Sequence, residues 1–478
     1  MPAAAFRPAT QGSDEPLPAR PPDDDPRLRV VAAGAPGHRG AFVLYWPQMQ
    51  RRARSNAALD LAVAEANARR LPLAVYEALR VDYPYASDRL HAFVLEGARG
   101  EAEAYRRRGA EYAFFLPRTP DEARGVLGRL SAQADLIVTD DHPAFVVPGQ
   151  LRGLARQSAC PVWAFDDCTV VPLARLGPEQ YAARTIRPRV ARQLDAWLRP
   201  LAEPTCEAGP ASVDWPFTPL DLGALDLAAL LPTLPIDHGV PPVVGATGGS
   251  GPAHERLAAF VRRKLVQYPE QSHPDDAVTT TLSPYLHFGM IGAREVALAV
   301  RDARAPEATR NALLEQLLVR RTLAFNLARE NAAHRTFAPV PTWAQKTLRE
   351  HLADPRPHLY SLAQLEQAAT DDIVWNAAQR ELRATGVIHN YLRMLWGKGV
   401  IAWKKTPEEA LDDLLVLNDK WALDGRDPNT YASLLWCFGK HDRPWGPARP
   451  IFGTVRYMST ANARKKLRME TYLARWGG

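Results

Sequence analysis

Short runs of consecutive apolar residues, separated by stretches with a helical period, characterise the first part of the chain. Between the first two runs, for example, Leu59, Val63 and Ala66 fall on one face of a predicted helix. Strands that alternate with helices predict an α/β domain with a mostly parallel, Rossmann-like sheet over residues 39–167. The predicted strands of this domain are residues 42–46, 71–77, 111–117, 135–141 and 161–167.

This predicted domain lacks the glycine pattern of a dinucleotide-binding turn. No Gly-x-Gly-x-x-Gly follows its first strand, residues 42–46. Open parallel sheets bind ligands at the carboxyl ends of their strands, so any ligand of this domain is expected there. The strand pattern itself does not identify the ligand.

Helical periodicity without intervening strands dominates the chain after residue 251. Leu257 and Phe260 fall at helical spacing, and capping boxes at Ser361 and Thr406 mark helix starts further on. Residues 251–478 are therefore predicted to form an all-α domain. Its predicted helices include residues 311–330, 361–369, 372–385, 387–403 and 407–419.

Two segments have the composition of irregular chain. Residues 1–38 are rich in Pro, Ala, Gly and Asp without apolar periodicity, which predicts a disordered arm. Acidic residues in this arm argue against the alternative of an organelle transit peptide. Residues 168–250 carry many prolines and are predicted to connect the two domains. The glycine-rich stretch GATGGSG (245–251) is interpreted as a flexible loop, because no Lys-Ser/Thr follows to complete a phosphate cradle.

Composition and charge limit the remaining classes of protein. The 478 residues have an ordinary apolar fraction of 46% and a net charge of +6, a mild basic excess that permits an anionic partner without requiring one. The four cysteines lie far apart, so neither a disulfide framework nor a metal site is predicted. No apolar run is long enough to span a bilayer. We expect a soluble, cytoplasmic protein that works as a monomer.

Tryptophan is concentrated in one stretch of the helical domain. Six of the twelve tryptophans lie between Trp375 and Trp445, interleaved with arginines and lysines. Cores are usually filled with Leu, Ile and Val, so two interpretations stay open at this point. Either the cluster is a tryptophan-rich helical core, which composition alone favours, or it stacks flat aromatic groups or transfers electrons.

Hydroxyl side chains precede a proline at a predicted helix start in residues 279–289 (TTTLSPYLHFG). A helix N-terminus with free amides binds phosphate well. The same pattern also serves as a plain helix cap, and caps are the commoner case. Both interpretations stay open for this segment.

Longer motifs resemble one known family. The chain is similar, over about residues 40–470, to the class II cyclobutane pyrimidine dimer photolyases of the photolyase/cryptochrome superfamily. The resemblance implies an α/β antenna domain, which is a candidate site for a chromophore of deazaflavin or folate type, and a helical domain that holds FAD in a folded conformation. The motifs that carry it are WNAAQREL (375–382), HNYLRMLWGKGV (389–400), LNDKWALDGRDPN (417–429), HDRPWG (441–446) and FGTVRYM (452–458), with looser matches at 45–59 and 281–289.

The resemblance assigns roles to individual residues on the cofactor side. It implies that Trp403 at the surface, then Trp375, then Trp396 relay an electron to photoexcited FAD. The spacing of Trp396 and Trp403, about 10 Å along one helix face, suits such a relay. Arg393 and Asp424 are expected against the isoalloxazine, although an ordinary ion pair uses the same residue types. The complete set of cofactor-binding residues implied is Tyr268, Thr279, Thr280, Thr281, Leu282, Ser283, Arg393, Asn418, Asp424, Gly425 and Asp427.

On the substrate side, the resemblance implies double-stranded DNA with a thymine dimer flipped out of the helix. Two positions depart from the family pattern: Gln316 replaces a glutamate that hydrogen-bonds the dimer, and Asn390 replaces a glycine. The resemblance implies that position 316 is catalytic, together with the three relay tryptophans. Glutamine cannot supply a proton or a negative charge, so Gln316 predicts slower repair or a changed substrate. The residues implied to contact substrate or DNA are Asn390, Met394, Trp436, Arg443, Trp445 and Arg456.

Three functions follow, in order of preference. The first is a deoxyribodipyrimidine photo-lyase, a carbon–carbon lyase that splits pyrimidine dimers with an electron from excited reduced FAD. The second is a cryptochrome-like flavin photoreceptor without repair activity, which shares the relay. The third is a helical DNA-binding or structural protein without a cofactor. Trp421 has no counterpart among the implied functional residues and is interpreted as a core indole.

Overall fold

The computed structural model describes residues 15–20, 24–276 and 278–478, so the arm prediction for residues 1–14 and 21–23 lies outside the described residues. One sheet has the strand order β1-β6-β5-β2-β3-β4. All neighbouring strands pair in parallel except the edge pair of β1 and β6, which is antiparallel. The predicted α/β class and all five predicted strands are confirmed. The strands are β1 (Leu28–Ala32), β2 (Phe42–Trp46), β3 (Leu73–Ala78), β4 (Ala110–Phe115), β5 (Ala134–Asp140) and β6 (Val162–Phe165).

Strand β1 was not predicted, and the expectation of disorder is wrong for this part of residues 1–38. The strand is partly exposed, so it lacks the continuous apolar run of a buried strand. The buried guanidinium of Arg27 holds its start, 4.7 Å from the ring centroid of Phe165 and 4.9 Å from that of Trp197. Arg27 also pairs with Asp25 at 2.8 Å. Phe165 and Trp197 are distant from Arg27 in sequence, so local periodicity does not record these contacts.

Four helices pack on the sheet. The segment after β4 first forms a single 3₁₀ turn, Asp121–Ala123, and the helix proper begins after Gly125. Gly125 has a φ of +69°, a left-handed conformation that interrupts a right-handed helix and favours glycine. The helices are α1 (Ala57–Arg69), α2 (Asp88–Arg107), α3 (Val126–Gln133) and α4 (Val147–Ala155).

The connection between the domains contains short helices and a packed glycine loop. A side chain at Gly248 would place its Cβ 1.7 Å from the backbone oxygen of Phe93, and the Gly248 amide donates to Glu96 at 2.8 Å. The stretch 245–251 is therefore fixed against α2, which differs from the flexible loop that we predicted. The helices of the connection are α5 (Ala183–Ala191), α6 (Leu194–Trp197) and α7 (Leu227–Leu230), with 3₁₀ turns at Leu173–Leu176 and Leu231–Thr233.

The second part is helical, as predicted. The predicted helix 311–330 is interrupted by a π-helical segment, Glu315–Arg320, and π segments often occur at functional sites. The helices are α8 (Ser250–Arg263), α9 (Ser283–His287), α10 (Ala293–Arg301), α11 (Glu307–Leu314), α12 (Arg321–Glu330), α13 (Thr342–Glu350), α14 (Leu362–Glu366), α15 (Ile373–Thr385), α16 (Asn390–Trp403), α17 (Pro407–Trp421), α18 (Pro428–Cys437), α19 (Thr460–Lys466) and α20 (Glu470–Trp476), with 3₁₀ turns at Leu265–Glu270 and Pro274–Asp276.

A buried arginine of α2 joins the α/β part to the helical part. The Arg89 guanidinium donates to the backbone oxygens of Trp421 and Arg383, each at 2.6 Å. These carbonyls lie at the C-terminal ends of α17 and α15, where helices leave acceptors unsatisfied and favour a positive charge. Among the described residues, no helix is long and apolar enough to cross a membrane.

Candidate cofactor and electron-relay site

Three tryptophan side chains form a continuous buried chain between α15 and α16. The ring centroids of Trp396 and Trp375 are 6.3 Å apart with nearly parallel planes, and those of Trp375 and Trp403 are 5.4 Å apart at 73°. Their exposed fractions are 1%, 1% and 7% for Trp396, Trp375 and Trp403. The order of contact is the predicted one. Trp403, however, is buried rather than at the surface, because another aromatic side chain covers it.

That covering side chain is Tyr360, which the sequence analysis did not single out. Its ring meets the Trp403 ring edge to face at a centroid distance of 5.1 Å. The Tyr360 hydroxyl donates to Asp371 Oδ2 at 2.8 Å, and the ring of exposed His358 stacks on its other side at 5.7 Å. The chain of aromatic contacts therefore reaches solvent through Tyr360.

Local structure fixes the indoles in place. Asp372 caps the start of α15, and its carboxylate accepts from the amides of Val374 and Trp375 at 3.0 Å each. On α16, a Cβ at Gly399 would lie 2.7 Å from Trp375 Cδ1 and 3.0 Å from Trp403 Cη2. Glycine at 399 thus permits the close approach of these two indoles. A glycine inside a helix lowers helix stability by about 1 kcal/mol relative to alanine. Its presence at 399 is the signal in the sequence that could have indicated a close contact there.

Both inner indole N–H groups have protein acceptors. Trp375 Nε1 donates to the backbone oxygen of Trp396 at 2.8 Å, and Trp396 Nε1 donates to Gln379 Oε1 at 2.9 Å. Gln379 is completely buried and lies one turn after Trp375 on α15, so the same helix face carries both. Sequence reasoning missed Gln379 because a lone glutamine in a helix carries no signal.

The pair expected against a flavin ring is formed. Arg393 Nη2 lies 3.1 Å from both carboxylate oxygens of Asp424, and Arg393 precedes Trp396 by one turn of α16. Asn418 is 1% exposed and donates to Asp419 at 3.2 Å. A Cβ at Gly425 would lie 2.9 Å from the Asn418 backbone oxygen, so glycine lets this turn pack on α17. Helix α16 therefore presents the guanidinium of Arg393 one turn before Trp396.

A cluster of hydroxyl groups precedes α9. Thr281 and Ser283 are exposed, and Thr279 and Thr280 are half-buried. Thr281 has a φ of +53°, which is rare for a β-branched residue and is typical of strained functional sites. The amide of buried Leu282 donates to Thr280 Oγ1 at 3.3 Å. The predicted hydroxyls are thus brought together on one accessible stretch of backbone.

A cation that sequence reasoning missed lies beside this cluster. Arg256 of α8 is 3.4 Å from Thr281 Oγ1 through Nη1, and its Nε donates to the Tyr285 hydroxyl at 2.9 Å. Its Nη2 donates to the Gly245 backbone oxygen at 3.0 Å. Hydroxyl groups with a guanidinium beside them are a suitable donor set for a pyrophosphate. The residues present therefore fit the phosphate part of FAD. Tyr268, another predicted cofactor-binding residue, is 5% exposed, and burial raises its pKa to about 12.

Asp427 has a different environment from the other predicted cofactor residues. It caps α18 by accepting from the Asn429 amide at 2.8 Å, and it lies 3.4 Å from His287 Nδ1 and 3.9 Å from Arg321. Burial opposes ionisation of Asp427, but the positive field of Arg321 and the hydrogen bond with His287 outweigh it and hold its pKa at about 2. Its carboxylate is thus engaged by protein groups.

Four of the six predicted substrate-side residues lie on α18 and the segment after it, whereas Asn390 and Met394 lie on α16. The guanidinium carbon of Arg320 lies 5.1 Å from the ring centroid of Trp436, whose buried Nε1 has no acceptor among the described residues. Trp445 is 36% exposed and lies between two guanidinium carbons, 4.1 Å from that of Arg443 and 5.1 Å from that of Arg456. This face combines accessible aromatic and cationic groups.

The two departures from the family pattern are both accessible. Gln316 and Asn390 are exposed, each at or near the start of a helical segment. The neighbour of Gln316, Glu315, pairs with Arg187 at 2.7 Å, so its carboxylate is not free. Met394 is half-buried, with its sulfur 3.8 Å from that of Cys437.

A cavity of about 580 Å³ opens at the carboxyl ends of β2, β3 and β4. Buried Gln48 Oε1 and Arg51 Nε, both on residues that line it, have no hydrogen-bond partner among the described residues. The loop after β2 is held by Asp140, which accepts from three successive backbone amides, those of residues 48–50, at 2.6–2.8 Å. The cavity is in the size range of cofactor sites, at the edge of the sheet where a ligand was predicted. Its aromatic lining residues are Trp46, Tyr76, Tyr83, Phe115, Phe145 and Phe288.

Proteins named deoxyribodipyrimidine photo-lyase are similar to this chain over most of its length. The protein from Methanothermobacter thermautotrophicus is 35% identical over 455 residues, which cover 95% of this chain and 98% of the relative. The protein from Oryza sativa subsp. japonica is 33% identical, and the match covers 94% of this chain and 90% of the relative. No protein-family model matches the chain.

Solved structures share the fold at lower identity. A class III photolyase from Agrobacterium tumefaciens superposes with a TM-score of 0.69 at 16% identity, covering 92% of this chain and 87% of that chain. A cryptochrome from Synechocystis sp. PCC6803 superposes with a TM-score of 0.66 at 14% identity, covering 91% and 88% of the two chains. At these identities the likeness establishes the fold, an α/β part followed by a helical part.

Proposed function

The chain belongs to the deoxyribodipyrimidine photo-lyase family, and we propose that it repairs DNA by splitting cyclobutane pyrimidine dimers in a light-driven reaction. The observation that carries the proposal is the buried chain of Trp396, Trp375 and Trp403 that ends one helical turn from the Arg393–Asp424 pair. Bound FAD supplies the absorption of light and the electron that opens the dimer. The protein positions, charges and shields the groups around it.

We assign the phosphate contacts of FAD to the hydroxyl cluster before α9 and to Arg256. Thr281 and Ser283 are accessible donors, and Arg256 supplies the positive charge that a pyrophosphate requires. At the other end, Arg393 steadies negative charge on the reduced flavin, while Asp424 orients its guanidinium. The Arg393–Asp424 pair also keeps the site near neutral before the flavin is reduced.

The relay residues serve to restore the reduced cofactor. Trp396 gives up an electron and is reduced by Trp375. Trp375 is then reduced by Trp403, and Trp403 by Tyr360. A one-electron donor in solution, such as a thiol, replaces the electron that leaves the surface end. Indole is easily oxidised, whereas leucine at the same positions would fill the core without carrying charge.

The lesion side is the accessible face with Trp436 and Trp445. We propose that a dimer flipped out of double-stranded DNA packs on Trp436, whose Nε1 has no acceptor within the part of the chain that the structure describes. Arg443, Trp445 and Arg456 border the gap left in the duplex and contact phosphates, so binding weakens as salt rises. We expect one protein monomer per lesion.

We place the chain in class II of the family. The support is the order and length of the motifs between 375 and 458, against which Gln316 and Asn390 stand as the two departures. Because glutamine cannot give a proton to the dimer, the class assignment predicts repair with a reduced quantum yield rather than a different reaction.

The interdomain-facing cavity of the α/β part is the proposed antenna site. Its aromatic lining and the unpaired Gln48 and Arg51 atoms suit a flat heteroaromatic chromophore of deazaflavin or folate type. Adding each chromophore to purified protein distinguishes them, because only the bound one transfers its excitation to FAD and loses its own fluorescence.

A direct repair assay tests the proposed function. Reduced protein is mixed with an oligonucleotide that contains one thymine dimer, illuminated with near-ultraviolet or blue light, and the return of thymine absorbance is followed. We expect recovery in the light and none in the dark. Bound FAD and lesion binding without recovery would instead support the cryptochrome-like photoreceptor, which the glutamine at 316 favours.

A further inference from the structure

The hydrogen bonds of the two inner relay indoles differ in kind from those at the surface end. Trp396 Nε1 donates to Gln379 Oε1 at 2.9 Å, and Trp375 Nε1 donates to the Trp396 backbone oxygen at 2.8 Å. Both acceptors are amide oxygens. At the surface end, the Tyr360 hydroxyl donates to the carboxylate of Asp371 at 2.8 Å. Only the outer group therefore has a basic partner.

The orientation of the Gln379 side chain follows from donor and acceptor chemistry. An indole nitrogen only donates, so the atom that faces Trp396 Nε1 is the amide oxygen of Gln379. The Gln379 nitrogen then points to the backbone oxygen of Glu366, at 3.3 Å, and donates to it. Gln379 is 0% exposed, so bulk water does not compete for either bond. The side chain is fixed at both ends.

The chemistry of the acceptor at Nε1 is important because an indole that loses an electron becomes a much stronger acid. A carboxylate or a water chain at Nε1 would take the proton and leave a neutral radical, which the next indole does not re-reduce unless the proton returns. An amide oxygen is too weak a base to take it. With such a weakly basic acceptor the indole keeps its proton, so its oxidation stays reversible. The positive charge then moves outward by electron transfer alone.

We propose that Gln379 is a positioning residue that keeps the proton on Trp396 during electron transfer, so that the inner relay moves electrons without moving protons. The inference rests on the proposed function of the relay and adds a residue and a role to it. In each step Trp396 loses one electron and receives one from Trp375, and no bond to hydrogen breaks. At the outer end, Tyr360 gives up its hydroxyl proton to the Asp371 carboxylate when it is oxidised.

A single-atom change tests this role. Gln379→Glu keeps the shape but offers a carboxylate, so at high pH the proton leaves oxidised Trp396. We expect the yield of FAD photoreduction to fall at least about tenfold. Transient absorption should then show the neutral indolyl radical instead of the radical cation at Trp396. A protonated glutamate resembles glutamine, so lowering the pH restores the wild-type yield and spectrum within the same variant.

The controls separate this effect from a loss of packing. Gln379→Met fills the same space without an ionisable group, and we expect no pH dependence of the yield between about pH 5 and pH 9. Wild-type protein should be equally insensitive over that range. Buried glutamates titrate well above their usual pKa, so the transition of Gln379→Glu is expected within it.

Two measurements on the wild-type protein keep the inference testable if the glutamate variant does not fold. Replacing water with D₂O should leave the rate of charge transfer from Trp396 to Trp375 unchanged within about twofold, and a larger slowing would overturn the inference. In the dark, the indole protons of Trp375 and Trp396 should exchange far more slowly than that of exposed Trp445, and equal exchange would overturn it too.

The outcomes also distinguish this inference from the proposed function. If the wild-type protein shows no photoreduction at all, the relay itself is wrong. If the wild type photoreduces and Gln379→Glu matches it in yield and radical spectrum at every pH, the relay stands and the role of Gln379 is wrong.

Discussion

The tryptophan-rich stretch contains two regions that use the same side chain in opposite ways. On the proposed relay side, Trp375, Trp396 and Trp403 are at most 7% exposed, and each is held by packing within helices. On the lesion side, Trp445 is 36% exposed and lies between two arginines on a segment without regular structure. Electron transfer benefits from fixed, dry neighbours, whereas DNA binding needs an accessible ring with cations beside it. The degree of burial, rather than the residue type, distinguishes the two proposed roles.

The largest expected effect breaks the relay side alone. Trp396→Phe keeps an aromatic ring in the core but removes the oxidisable indole next to Arg393. We expect photoreduction of oxidised FAD to fall by at least about a hundredfold, while pre-reduced protein repairs dimers at close to the wild-type rate. Absorption spectroscopy under illumination measures the first and the repair assay the second. Persistent photoreduction would show that the electron takes another route.

A second change disturbs the spacing of the relay without removing an indole. Gly399→Val places side-chain atoms where Trp375 and Trp403 meet, so we expect a loss of about 1–3 kcal/mol in the free energy of unfolding and clearly slower photoreduction. Gly100→Ala is the matched control on α2, because a Cβ there meets nothing within 4 Å. Denaturant titration should show a small stabilisation for the control. Equal stability of both variants would contradict the packing assigned to Gly399.

A third change addresses the lesion side. Trp445→Ala removes the ring that lies between Arg443 and Arg456, and we expect dimer-containing DNA to bind about 1–3 kcal/mol more weakly. Photoreduction should be unchanged, because no ring contact among the described residues joins Trp445 to Trp375, Trp396 or Trp403. Binding titrations at two salt concentrations measure the effect, and Arg456→Ala should in addition lower the salt dependence. A fall in photoreduction would mean that the two sides are coupled.

The smallest expected effect concerns the residue that departs from the family. Gln316→Glu restores the carboxyl group of the family pattern, and we expect the quantum yield of repair to rise by about two- to fivefold at neutral pH. The carboxylate of Glu315 is engaged by Arg187 and does not substitute for it, so Glu315→Gln serves as the control with no gain. An unchanged yield in Gln316→Glu would show that this position does not limit repair.

Much of the fold was readable from local pattern. The five strands β2–β6 are buried apolar runs, and the starts of α14 and α17 carry their caps at Ser361 and Thr406. These features depend on interactions within a few residues, which periodicity and capping rules describe. Local pattern did not predict strand β1, because this strand depends on pairing with β6 and on the stacking of Arg27 against Phe165 and Trp197.

The sequence by itself determined the order of domains, the helices that carry the relay, and the indoles, arginines and hydroxyls that its motifs imply. The tertiary structure alone decided how these groups meet. It placed Tyr360 over Trp403, Arg256 beside Thr281, and Gln379 against Trp396. The reason is physical: helix and strand signals are short-range, whereas ring contacts and hydrogen bonds between distant segments form only when the whole core packs.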